Sequence, residues 1–202
     1  MDLNFFSYPA VILVALTSLV LLISVNWRWI ILMLALQYVG VFFLVSLRWP
    51  VEMAAAVIVA GWMASAVLGF AISEATTSIP SVWQSTEKFS PSGRLFRLLA
   101  SGLVAITVLS ISPKLVEWVE NIGIIQAVGA STLIGMGLLH LGLTAQPFRV
   151  GIGLLTFLSG FGILIAAVEV SALVAGLLAI IKLGLALVSA YLLLAPNMEE
   201  AS

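Results

Sequence analysis

The sequence predicts an all-α integral membrane protein with seven transmembrane helices, and three observations predict it. Of its 202 residues 62 % are hydrophobic and 8 % charged, with a mean hydropathy of +1.24; a soluble domain could not cover its surface with so few charges. Apolar runs long enough to cross a hydrocarbon core of ~30 Å recur along the whole chain. Trp27, Trp29, Trp49, Trp83 and Trp118 stand at or near the ends of those runs, where an aromatic belt meets the headgroups.

The spans are read in order as Pro9–Val25, Trp29–Leu47, Val51–Ile72, Leu95–Ile111, Ile122–Leu143, Val150–Val168 and Val170–Ala195. The opening segment carries an acid, no basic stretch and no evident small-residue cleavage site, so it reads as a first membrane helix and not a signal peptide. The fourth span is short and holds Arg97 near its start, a position from which a long side chain snorkels to the interface. Pro113 should end that span, leaving Lys114–Glu120 as a short helix lying in the headgroup region.

Seven spans place the two ends of the sequence on opposite sides. One side collects Arg28, Lys88, Arg94, Arg97 and Arg149 and the other Arg48 and Lys114, which puts the N-terminus outside and the C-terminus, with Glu199 and Glu200, in the cytoplasm. Trp27-Arg28 opens span two and Phe148-Arg149 opens span six, each after a short loop and each followed by a helix, a tight turn and another helix. This suggests two parallel three-helix units, residues 1–73 and 122–202, joined by a cytoplasmic linker, 74–94, and a connector helix with an interfacial segment, 95–121. Chance similarity between apolar helices explains the repeat equally well.

Small residues mark helix contacts. Gly61, Ser65 and Gly69 recur at four-residue steps in span three, and span six carries Gly151, Gly153, Gly160 and Gly162. Lipid supplies no hydrophobic force between helices, so close backbone approach at such strips is a main source of association.

Few side chains at membrane depth can exchange a proton or hold an ion. Lys182 sits near the middle of the last span, where a charge costs about 2.5–3.5 kcal/mol and should face protein or a wet cavity. Ala175, Ala179, Ala186, Ser189 and Ala190 share its helical face. Lys182 reads either as part of an ion or proton pathway or as a structural lysine bonded to carbonyls or to a partner subunit's carboxylate. Glu169 is about 20 Å away along the helix axis, too far to pair with it, so the counter-group is expected on another chain. Glu169 and Glu52 fall at the outer interface, where a solvated carboxylate is cheap. His140, with Arg149 across the following loop, could relay protons near neutral pH or be merely interfacial. Gln37, Thr156 and Ser159 are mid-helix polar groups able to bond a neighbouring helix.

Cysteine is absent, which excludes disulfides and thiolate sites. No phosphate-binding loop, dinucleotide fingerprint, HExxH, intramembrane aspartate pair or haem histidine pair occurs, so no catalytic residue and no metal ligand is assigned, and the chain is not expected to be an enzyme by itself. Nothing points to nucleic acid; the expected surroundings are the lipid bilayer and other membrane proteins.

The segment Gln146-Pro-Phe-Arg-Val-Gly-Ile-Gly-Leu-Leu-Thr-Phe-Leu-Ser-Gly-Phe-Gly resembles the small membrane subunits of complex I and its relatives: the subunit K type, the C subunit of multisubunit sodium/proton antiporters and especially component E of hydrogenase-4. Those families have a short cytoplasmic loop with a basic residue, here Arg149, and then a glycine-containing helix, here with Gly153 and Gly160. Component E is also similar in length, in its seven spans, in a polar linker after span three and in the opening helix around Leu13–Val25.

Two positions depart from the pattern. Leu158 stands where the family carries a membrane glutamate, and Val57 where related chains can have a lysine. The resemblance implies a non-catalytic subunit of a proton- or sodium-translocating respiratory assembly in a prokaryotic cytoplasmic membrane. It would bind no cofactor itself, its partners being other membrane subunits that hold the redox cofactors. Lys182, Glu169, His140 and Arg149 would then serve an ion pathway or an inter-subunit contact. The alternatives are a stand-alone small transporter or channel, with Lys182, Glu169 and His140 along one route, and a membrane scaffold.

Overall fold

A computed structural model describes residues 4–78, 91–119 and 121–200. Seven helices make up the described chain: α1 (Asn4–Ile23), α2 (Trp27–Val45), α3 (Val51–Ser78), α4 (Pro91–Trp118), α5 (Ile124–Leu143), α6 (Pro147–Val168) and α7 (Ala172–Glu200). Helices α2 to α7 are long and apolar enough to cross a membrane, and α1 contributes the shorter apolar stretch Ser7–Ile23. The protein is therefore an all-α integral membrane protein.

The turns are set by local chemistry. Asn26 closes the α1–α2 connection by accepting the Arg28 backbone N–H at 3.1 Å as the N-cap of α2. Pro147 occupies the first turn of α6, where its missing N–H has no partner to lose. Between α6 and α7 the Glu169 N–H bonds the Ile165 carbonyl and ends α6 in extended backbone.

Several boundaries differ from the sequence reading. Helix α3 runs on to Ser78 and α4 begins at Pro91, so the linker expected over 74–94 is shorter at both ends; residues 79–90, with Trp83 and Lys88, lie outside the described residues. Pro113 does not break α4, which continues to Trp118 in place of a separate interfacial helix. A proline forfeits one helix bond, and here the Ser112 hydroxyl adds a bond of its own to the Val108 carbonyl at 2.7 Å in the turn before it.

Helix α1 packs on α5, α2 on α6 and α3 along much of α7. Helices α1 and α5 run parallel, Val11 and Leu21 of α1 sitting beside Gly129 and His140 of α5, and Tyr38, Phe148 and Leu155 share one core, with Trp27 packed against it. Glycines set the closest approaches. On α6, Gly153 meets His140 and Leu141 of α5, and Gly160 lies against the Ala130 carbonyl and Leu133; on α5, Gly137 lies against the Phe157 backbone. On α3, Gly61 receives the ring of Tyr38 and Gly69 faces Ile31 more loosely, both on α2, while Ser65 turns its hydroxyl back to the Gly61 carbonyl at 2.8 Å. Helix α4 stands at the edge, leaning on α5 where Gly135 accommodates Val104.

Candidate functional site

Lys182 lies near the midpoint of the Ala172–Ala195 span and is only 2 % exposed. Its level in the bundle is fixed by two contacts on the same helix pair: Gly151 sits against Ser189, and Gly162 against Leu178. Between them Lys182 runs alongside the middle of α6. The alanine face read from the sequence is the face α7 turns inward, with Ala175, Ala186, Ser189 and Ala190 buried.

The ammonium meets an aromatic ring. Lys182 Nζ lies 5.2 Å from the centroid of the Tyr38 ring, within range of a cation–π interaction. Gly61 also lies against this ring and leaves no room for a Cβ, so the ring fits where only glycine permits. The preceding residue, Gln37, donates from its amide to the Thr156 hydroxyl at 3.4 Å, joining α2 to α6. Ser159, one turn along, lies beside the Tyr38 hydroxyl, but its own proton goes to the Leu155 carbonyl at 2.7 Å. Two polar atoms of this layer, Gln37 Oε1 and the Tyr38 hydroxyl, have no hydrogen-bond partner among the described residues, although both side chains are fully buried.

Such groups cost about 1–3 kcal/mol each when left unsatisfied. A charged ammonium in the same layer adds to that cost. The layer of Gln37, Tyr38, Thr156, Ser159 and Lys182 is thus a costly polar feature of the bundle at mid-span depth.

The other sequence-selected residues are not gathered around Lys182. Glu169 is exposed in the turn at one end of the bundle, where its carbonyl accepts the Trp49 indole N–H at 2.8 Å and ties the two turns at that end together. Glu52 is exposed at the same end. His140 and Arg149 are at the opposite end, and both are buried, at 2 % and 1 % exposure. They form a second cluster with Arg97, another buried residue.

This basic cluster closes the end of α1. Arg149 donates to the Ser24 carbonyl at 2.8 Å and Arg97 to the Leu22 carbonyl at 3.0 Å. The His140 ring lies beside the Leu21 backbone and 3.3 Å from the Met136 carbonyl. The last carbonyls of a helix lack intrahelical partners and carry partial negative charge, so arginines from two other helices satisfy them. Arg97 therefore does not snorkel out to the interface; it turns inward to α1. His140, in the last turn of α5, is likewise turned inward.

No group of His, Asp and Glu side chains suited to a metal ion occurs among the described residues. The chain matches no protein-family model, no curated protein and no solved structure.

Sequence reasoning did not single out Tyr38. The signal was present in the Gln37-Tyr38 pair, two polar-capable residues in the middle of an otherwise apolar helix. Lys182 is buried among the helices of its own chain and does not face bare lipid.

Proposed function

We propose that this protein is a non-catalytic membrane subunit of a proton- or sodium-translocating assembly of the complex I-like or group 4 hydrogenase-like kind, packing against antiporter-like subunits. The observation that carries this reading is the polar layer around Lys182. Ionisable residues retained at mid-membrane depth mark ion and proton pathways by default, because hydrocarbon makes them costly to keep. The layer holds one ionisable cation and no carboxylate to trade a proton with, so it fits one station of a larger route better than a complete carrier.

The wide apolar faces of the edge helices leave room for neighbouring subunits. On α4, Leu99, Leu103, Ile106 and Leu109 are each more than 60 % exposed, and Leu173, Ile180 and Tyr191 present a similar face on α7. Neighbouring subunits or lipid would cover them. In this reading the basic end, with Arg28, Arg94, Arg97 and Arg149, faces the cytoplasm of a prokaryotic cell, and redox cofactors reside in other chains.

Purification from native membranes in mild detergent, followed by mass spectrometry of the co-eluting chains, tests the proposal. Co-elution with redox and antiporter-like subunits is the expected result. A homogeneous oligomer of this chain alone that conducts ions in liposomes overturns it in favour of a stand-alone transporter.

A further inference from the structure

Helix α4 leans on α5 but stands away from α1 along most of its length, and this opens a groove of about 500 Å³ between the three helices. Its walls are almost wholly apolar: Ala15 and Leu19 of α1, Leu98, Gly102 and Ala105 of α4, and Thr132 of α5. The groove faces the bilayer, so whatever fills it has a hydrocarbon body. One end is electrostatically marked. Leu98, Ser101, Ala105 and Val108 form one face of α4, and Arg94, exposed, continues that face one turn beyond Leu98.

At the same end Arg97 crosses to the Leu22 carbonyl, with Arg149 and His140 behind it. The end of the groove therefore lies in the field of several cations, while its length is neutral and apolar. That combination of a hydrocarbon slot and a basic mouth is the recognition chemistry of an anionic lipid.

We infer that the α1–α4–α5 groove is a binding site for an anionic phospholipid, with an acyl chain lying along Leu19, Gly102 and Ala105 and the phosphate at Arg94. The lipid wedges α4 against α1 and completes the packing that protein side chains leave open there. Dispersion contacts along the chain supply retention, and the charge-assisted contact at Arg94 supplies headgroup selectivity.

Two variants separate the parts of this site. A Cβ at Gly102 meets no atom within 4 Å and the residue lines the groove, so Gly102→Leu is the substitution that fills it. Arg94→Gln removes charge at the mouth from an exposed position. The protein is purified with its partners, exchanged into nanodiscs or detergent containing phosphatidylglycerol or phosphatidylcholine, and its retained lipid measured by native mass spectrometry, with thermal stability read in parallel.

Wild-type protein should retain phosphatidylglycerol at least several-fold more than phosphatidylcholine. Arg94→Gln should reduce that preference towards equality, and Gly102→Leu should abolish retention of one bound lipid of either kind while the protein remains folded. Equal retention of the two lipids by wild type overturns the inference. So does lipid retention unchanged by Gly102→Leu, including the case in which that variant instead expels a partner helix from the assembly.

Discussion

Lys182 Nζ stands 5.2 Å from the centroid of the Tyr38 ring, and the ring in turn occupies the space that Gly61 leaves by having no side chain. Three helices, α7, α2 and α3, are thereby held in one register by a cation, an aromatic face and a missing methyl. Because all three groups are buried, each can be removed separately with a distinct expected result.

Tyr38→Phe keeps the ring and deletes a hydroxyl that has no hydrogen-bond partner, so stability in a detergent unfolding titration should change by less than about 1 kcal/mol, in either direction. Tyr38→Leu removes the face that Lys182 rests on and should cost about 2 kcal/mol or more, the range for a desolvated cation–π contact. Equal losses in the two variants would show that the ring–ammonium contact does not stabilise the bundle.

Gly61→Ala drives a methyl into the Tyr38 ring, where ring and backbone both have little room to move. Overpacking of this kind costs about 1–3 kcal/mol. Gly69→Ala, two turns along on the same strip, meets Ile31 at an ordinary 3.5 Å and should be close to neutral. The pair is compared by the same unfolding titration.

Arg28 and Arg149 occupy equivalent places at the openings of α2 and α6, yet their surroundings differ. Arg28 is exposed and lies over the Trp27 ring at 5.4 Å, whereas Arg149 is buried on the Ser24 carbonyl. Arg149→Gln should lower stability by about 1.5–3 kcal/mol, the range for a hydrogen bond to a charged group, and Arg28→Gln by no more than about 0.5 kcal/mol. Similar effects would mean that the closure of α1 by Arg149 carries no weight.

The membrane class, the helix order and the inward face of α7 were legible because each rests on periodicity or composition within one segment. Lys182 stood out for the same reason, as a lone charge in an apolar run. What joins segments was not legible. Arg97 reads as an interfacial arginine until the carbonyl of Leu22, 75 positions earlier, is seen to receive it. Tyr38 reads as one aromatic among many until Gly61 and Lys182 are both seen to meet its ring. Pro113 reads as a stop, but one lost bond near the end of α4 does not end the helix, which runs on to Trp118.

The functional account turns on the charge of Lys182, and Lys182→Met tests it most directly because methionine keeps the bulk and removes the ammonium. Replacing a buried charge by an apolar side chain of similar size is often neutral or stabilising, so the variant should fold and assemble. Ion translocation in membrane vesicles carrying the intact assembly is then measured with wild-type and variant chains at equal abundance. The account predicts a loss of tenfold or more; translocation at the wild-type rate in a fully assembled Lys182→Met complex would contradict it.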